Sequence, residues 1–381
     1  MATGVENIAV SSRPSPAEAL ERLAQSTRVF VSMPCIRGIT PRALLEKGTE
    51  EELPVNGGPR RYYGSFRLDE VGVPAFDHGL LYGDAVFEGV LVEAGRIFKW
   101  REHLERLYES ARRVEIEIPY SPEQLTRRIV DAVGTARTEE DGTSYLRLVV
   151  TRGIGDLGVS PGSCAGSTVY CAISRIQLYP ESTYEEGIRL SLARQVRRAG
   201  ADVLSPQIKS CNYLNNIAAL LETRGQGTQE TLMLTGQGFV AEASADNIFI
   251  VTRKAGWEND PGKIVVITPS AEYCLKGITR DLVLHHARAL GFATSESPAV
   301  TPEDLFGADK EVFLTGTAAG VVPVVALDGR MIGDGAPGQI TKKLRSLVVQ
   351  EIASPDHGLS VRASQEQVVR YLAQHAGRHG G

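Results

Sequence analysis

Phe76-Asp77-His78-Gly79-Leu80-Leu81-Tyr82-Gly83-Asp84-Ala85-Val86-Phe87-Glu88-Gly89 is the stretch on which the fold turns. Its second half opens an apolar strand over Asp84–Glu93, and a shorter strand over Ile97–Trp100 follows. Leu104, Leu107, Ala111 and Val114 then recur at helical spacing, which predicts a charged amphipathic helix from Glu102 to Arg113. Upstream, Tyr62–Leu68 reads as a strand. Downstream, Ser121 caps a helix over Pro122–Ala136, and Tyr145–Thr151 and Ser167–Ser174 read as strands.

The second half of the chain repeats this mixture without repeating the sequence. Strands are expected near Ile188–Arg194, Glu230–Leu234, Phe239–Glu242 and Asn247–Thr252, and helices at Asn212–Glu222, Thr279–Leu290 and Gln339–Ile352. Tyr179–Glu186 is polar and turn-prone. The expected organisation is α+β: residues 61–178 form a smaller N-terminal domain, 179–186 a linker and 187–353 a larger C-terminal domain. Residues 1–60 are an extension of no assigned role, in which Ser15-Pro16-Ala17-Glu18 reads as a capping box. Residues 354–381 read as a loosely held tail.

Composition narrows the function. The 381 residues carry 41 Lys and Arg against 46 Asp and Glu, a net charge of -5, which argues against a general nucleic-acid binder. No 18-residue apolar run is present, so no transmembrane helix and no membrane partner are expected. Five cysteines without C-x-x-C spacing point to a reducing cytoplasm, and the seven histidines form no metal motif, so no metal is expected. The N-terminus lacks the basic and apolar regions of a signal peptide.

Two generic motifs share one loop, and both fail on physical grounds. Gly153-Ile154-Gly155-Asp156-Leu157-Gly158 matches G-x-G-x-x-G, but Val159-Ser160-Pro161-Gly162-Ser163 follows where a phosphate-binding helix would have to begin. Gly158-Val159-Ser160-Pro161-Gly162 matches the nucleophile elbow, yet Pro161 has no N–H to offer an oxyanion. A glycine-rich loop able to move over a site is the better reading.

The residues that carry chemistry lie further on. Lys209 is the only lysine between Lys99 and Lys254, at a strand–helix junction before Asn212, Tyr213 and Asn215. A lone lysine is most often a solvated surface residue; held in a partly desolvated site, it loses proton affinity and becomes a nucleophile. Glu242 ends an apolar strand, placing a carboxylate where it can hydrogen-bond a protonated pyridine nitrogen; by itself it is as readily an ordinary loop carboxylate. Gly277-Ile278-Thr279 opens a helix with free backbone amides, and Thr315-Gly316-Thr317-Ala318-Ala319 follows a strand with small residues; both look like anion cradles. Arg106 could reach a phosphate, and is equally an i,i+4 partner of Glu102.

With these blocks in view, the chain resembles the class IV, fold-type IV pyridoxal-phosphate aminotransferases. The quoted stretch is similar to their opening signature. The likeness continues through Glu102–Leu107, Tyr145–Gly153, Lys209–Leu214, Glu242–Phe249, Gly277–Arg280 and Thr315–Ala319 in family order. The subfamily it most resembles is the branched-chain amino-acid aminotransferases. The resemblance implies a two-domain fold like that of D-amino-acid aminotransferase, pyridoxal 5'-phosphate as cofactor, and a homodimer or higher homo-oligomer acting on a small amino acid and a 2-oxo acid. It implies that Lys209 is the Schiff-base lysine and proton carrier, that Glu242 pairs with the pyridine nitrogen, and that Tyr213 bonds the phenolic oxygen. Arg106, Gly277, Ile278, Thr279 and Thr317 would hold the phosphate. Tyr82, Phe87, Tyr145, Arg147, Ala318 and Ala319 would line the substrate side, and the Gly153–Gly158 loop would be the interdomain lid. His78 is given a structural role.

Two positions depart from the branched-chain pattern. That subfamily often carries arginine two residues after Glu-Gly, where this chain has Leu91, and reads G-T-A-A-E where this chain has Gly320. Both are expected to border the substrate region or its support, so they bear on the substrate and leave the chemistry intact. D-amino-acid or (R)-amine transamination, or an aminodeoxychorismate lyase reaction, are the alternatives on the same fold.

Overall fold

The computed structural model describes residues 27–51, 60–136, 143–175 and 179–374. In chain order, the first half forms strands β1 (Arg28–Pro34), β2 (Thr49–Glu51), β3 (Arg61–Arg67), β4 (Ala85–Glu93), β5 (Arg96–Phe98), β6 (Ser144–Thr151) and β7 (Thr168–Ser174). Its helices are α1 (Arg42–Lys47), α2 (His78–Tyr82), α3 (Trp100–Arg113) and α4 (Pro122–Thr135). The second half forms β8 (Ile188–Arg197), β9 (Glu230–Leu234), β10 (Val240–Ala243), β11 (Asn247–Arg253), β12 (Ile264–Pro269), β13 (Ala293–Ser297), β14 (Lys310–Gly316), β15 (Gly320–Leu327) and β16 (Arg330–Met331). With them come α5 (Ser182–Glu186), α6 (Leu214–Glu222), α7 (Ile278–Ala289) and α8 (Gln339–Ala353); β17 (Gly358–Ser360) and α9 (Gln365–Ala373) close the described chain.

Two sheets result. The first runs β17-β5-β4-β6-β7-β1-β3-β2 and is antiparallel at every step. The second runs β10-β9-β8-β15-β14-β11-β12-β13, with β16 off β15, and mixes parallel and antiparallel pairs. β4 explains how they are joined. Its alternation sends Val86, Val90 and Val92 into a core with Trp100, Leu104 and Leu107 of α3. The opposite face sends Leu91 into the core of the second sheet, beside Phe249 and Phe313. A strand buried on both faces is a continuous apolar run, as Ala85–Val92 is apart from Glu88 and Gly89.

Local signals account for the helices. In α4, Ser121 accepts from the Gln124 amide and the Gln124 side chain returns the bond to the Ser121 amide, with Pro122 opening the first turn. After β6, the Gly153–Gly158 segment leads through a single 3₁₀ turn at Pro161–Ser163 into β7, so no helix follows the G-x-G-x-x-G run.

Four expectations are corrected. Trp100 does not end a strand: Lys99 takes a left-handed turn at φ 49° and Trp100 begins α3, fully buried, its Nε1 donating to Thr126 Oγ1 at 2.8 Å. Residues 1–60 are not wholly an extension, because β1 sits inside the first sheet between β7 and β3; the capping box at Ser15 lies outside the described residues. The linker carries α5, whose Tyr184 donates to the Ala319 carbonyl at 2.9 Å. The segment from Ser354 to Gln374 is not a loose tail. β17 pairs with β5, and Leu359, Val361 and Val368 are buried in the first core. Leu359→Ala should therefore destabilise the protein by about 2–4 kcal/mol in a urea titration; an unchanged midpoint would contradict the packing.

Candidate active site

Lys209 hangs from the first sheet. Ser210 bridges Val86, the Phe87 amide donates to the Lys209 carbonyl at 2.9 Å, and the Cys211 amide donates to Ala85 at 2.8 Å. The segment thus runs beside the start of β4, and its backbone is fixed before α6 begins. Lys209 Nζ lies 4.6 Å from the centre of the Phe87 ring. Burial, aided by the positive charges of Arg106 and Arg147 and opposed by Glu88 and Glu242, brings its pKa down to about 8. Phe87 is a hub: the Arg147 guanidinium also lies 4.6 Å over it, and Tyr213 meets it edge-on at 5.4 Å. Tyr145 joins through the Arg147 side chain, which donates to its hydroxyl at 3.4 Å.

Glu242 belongs to the second sheet and is buried. Arg198 Nε donates to its Oε1 at 2.6 Å, while Asn247 Nδ2 and the Leu275 amide donate to Oε2, both at 3.2 Å. A buried carboxyl group is costly without such partners. Lys209, Tyr213, Glu242, Asn247 and Leu275 line one cleft with Arg198.

The anion cradle forms where α3 meets α7. Gly277 is the N-cap of α7, with no side chain capping the first amides of Ile278 and Thr279. A β-carbon on Gly277 would lie 2.2 Å from Asn247 Oδ1, so only glycine allows this approach. Arg106 donates to the Lys276 carbonyl at 2.9 Å, which brings its guanidinium to the same helix end. Arg106, Lys276 and Ile278 line a second cavity of about 960 Å³ between α3 and α7. On the far side, Thr317 and Ala318 form the turn from β14 to β15, and their amides make no backbone hydrogen bond to a described residue. Tyr82 stands apart from the cluster: its hydroxyl donates to the Leu157 carbonyl, and its ring packs on His78 at 5.0 Å. His78, fully buried, holds the Asp156 carbonyl at 2.9 Å, so α2 clasps the glycine-rich loop.

Four residues of the site were not singled out in the sequence. Glu88 is fully buried and takes Arg106 in a two-pronged pair, Oε1 to Nε at 2.7 Å and Oε2 to Nη2 at 2.8 Å, while His103 Nδ1 lies 2.7 Å from Oε2. Burial alone would push Glu88 up; the Arg106 charge and the bonds from Arg106 and His103 outweigh it and hold the carboxylate at about 2. A glutamate inside an apolar strand was the available signal, since it demands a buried cation. Arg198 and Asn247 are the others. Their role depends on Arg198 leaving β8 beside the end of β9, where its amide donates to Leu234, and so reaching β10.

The fold and cluster define a class: a two-sheet α+β enzyme with a desolvated lysine, a buried carboxylate anchored by arginine, and a helix N-terminus backed by a second arginine. The amino-transferase class IV family profile matches residues 85–327. A Methanocaldococcus jannaschii relative is 43% identical over 273 residues, 72% of this chain and 88% of its own. The branched-chain-amino-acid aminotransferase of Pseudomonas aeruginosa is 33% identical over 272 residues, 70% of this chain and 84% of its own. Among solved structures, a T.th. branched-chain amino acid aminotransferase with pyridoxamine 5'-phosphate superposes with a TM-score of 0.68 at 31% identity, covering 78% of this chain and 96% of that one. The chain belongs to the class IV aminotransferases, enzymes that use pyridoxal 5'-phosphate to exchange an amino group between small amino and 2-oxo acids.

Proposed function

We propose that this aminotransferase takes branched-chain L-amino acids and passes the amino group to a 2-oxo acid such as 2-oxoglutarate. The observation that carries the reading is the desolvated Lys209 amine set against the Phe87 ring, with Arg147 and Tyr145 beside it and Glu242 in the same cleft. The names of the relatives support the substrate class. A panel of L- and D-amino donors and (R)-amines against 2-oxoglutarate and pyruvate tests it. Fastest turnover is expected with L-leucine, L-isoleucine or L-valine; preference for D-alanine, or pyruvate release without an acceptor, would overturn it.

The residues present fit the cofactor. Bound pyridoxal 5'-phosphate supplies an electron sink that acidifies the Cα–H bond of the amino acid. Glu242 would hold the proton on the pyridine nitrogen, and Tyr213 would donate to the phenolic oxygen. Arg106, the amides of Ile278 and Thr279 beside Gly277, and Thr317 would hold the phosphate. Lys209 Nζ would anchor the cofactor, then take and return the proton at Cα. Phe87 and Tyr145 would pack the substrate, and Arg147 and the amides of Ala318 and Ala319 would bind its carboxylate; Tyr82 and the Gly153–Gly158 loop it holds between β6 and β7 stand apart from this cluster.

Lys209 must be neutral to attack a carbonyl. With its pKa brought down to about 8 by burial first, roughly a tenth of the amine is neutral at pH 7 and most of it at pH 9. The rate of cofactor incorporation into the apoprotein is expected to rise with pH about a midpoint near 8 in a stopped-flow profile. A midpoint near the ordinary lysine value would refute the desolvation.

A second copy of the chain is the expected partner, in a reducing cytoplasm that keeps the five cysteines free. Phe76, Leu80 and Leu81 at α2 and Leu214, Ile217 and Leu221 on α6 leave large apolar side chains exposed, and Asn212 joins the two patches by donating to Gly83 at 3.0 Å. Sedimentation should give a dimer or larger, and Ile217→Asp should shift it toward monomer.

A further inference from the structure

Asp246 is a buried carboxyl that the reaction, as set out above, does not use. It lies between β10 and β11, one residue before Asn247, and is 7% exposed. Asn247 pairs with Thr315, so Asp246 falls opposite Gly316 where β14 enters the Thr317-Ala318 turn. A β-carbon on Gly316 would lie 1.9 Å from Asp246 Oδ1 and 3.7 Å from the Ala319 side chain, so the carboxyl lies directly under that turn. Neither oxygen accepts a hydrogen bond from a described residue. An ionised carboxylate left this way is costly, and a proton removes the cost.

The groups that face it are mostly acidic. Glu230 of β9 and Glu242 of β10 are buried carboxylates nearby, Lys209 is the cation within reach, and the phenols of Tyr145, Tyr179 and Tyr184 feel its charge. Burial, then Glu230, with Lys209 opposing and Glu242 adding, brings Asp246 up to about 7.

We propose that Asp246 is a positioning residue whose protonation licenses the turn above it to bind the substrate carboxylate, so that carboxylate binding takes up a proton. The inference rests on the assignment of that turn to the substrate carboxylate. An ionised Asp246 puts a like charge beneath the incoming carboxylate in a partly desolvated site; a neutral one removes the repulsion. Binding then favours the neutral form, and by linkage the complex holds more proton than the free enzyme.

The test uses 4-methylvaleric acid, an unreactive carboxylic acid that is ionised from pH 6 to 8.5, titrated into the holoenzyme. Affinity is expected to fall about tenfold across that range. Calorimetry near pH 7.5 in two buffers of different ionisation enthalpy should register proton uptake. Asp246→Asn keeps the shape without the charge; its affinity should be flat with pH and its binding proton-neutral. Wild-type binding that is independent of pH with no proton uptake overturns the proposal, as does an Asp246→Asn protein that keeps the wild-type profile. No binding by the wild-type holoenzyme at any pH would instead overturn the assignment of the turn.

Discussion

Lys209→Ala should lower kcat by at least about a thousandfold, because it removes the group expected to carry the proton to and from the substrate carbon. Turnover with a branched-chain donor, measured at saturating cofactor, checks this. The same substitution should leave the apoprotein as stable as before or more so. An amine whose pKa falls from 10.5 to about 8 is carried as a cation at pH 7 at a cost on the order of 3 kcal/mol, set mainly by burial. Alanine removes that cost and gives up the contact of Nζ with the Phe87 ring together with the packing of the alkyl stem. The pair of results is diagnostic. Loss of turnover with loss of fold would make Lys209 a structural residue, and turnover above about a tenth of wild type would remove it from the chemistry. The cradle at α7 and the Arg198–Glu242 pair lie outside the substitution, so the cofactor should still bind without a covalent link.

How much of this was legible in the sequence follows from how local each signal is. β4, β9 and α4 stand close to where their patterns place them, because alternation, apolar runs and a Ser-Pro-x-Gln cap are written within a few residues. β1 and β17 were not legible. Their partners are remote, Arg28 facing Arg67 and Ile173, and Gly358 facing Phe98, and a three-residue strand carries almost no pattern of its own. The site divides the same way. Lys209 and Glu242 could be picked out because each is an ionisable group in an apolar context. Arg198 sits in a run of basic residues and acquires its meaning only when β8 lies parallel to β9 and brings it to Glu242. Asp246 needed the β11–β14 register, which alone places it under the turn at Gly316.

Glu88→Ala should be the most destabilising single change in the first sheet. It leaves His103 Nδ1 and the Nε and Nη2 of Arg106 facing a void with no acceptor, and breaking a buried ion pair by removing one partner costs about 3–5 kcal/mol. Glu88→Gln keeps the volume and one acceptor oxygen and should cost less. Glu88→Ala should weaken cofactor binding by about tenfold or more, and Glu88→Gln by less, because Arg106 is aimed at the α7 N-terminus by residue 88 and by the Lys276 carbonyl, and alanine leaves only the second. Equilibrium denaturation of the apoprotein separates the two effects from each other, with cofactor affinity measured on the folded variants. The acid limb carries a further signature. Glu88 is held near 2 against 4.5 for the free side chain, because the Arg106 charge and hydrogen bonds overcome its burial. A carboxylate lowered in the fold contributes stability that is complete above about 4.5 and is lost as pH falls through about 2. Wild type should therefore lose stability steeply over that window, and Glu88→Gln should lose less there because its side chain cannot titrate. Equal acid slopes for the two proteins would mean that the Glu88–Arg106 pair is not what the fold relies on.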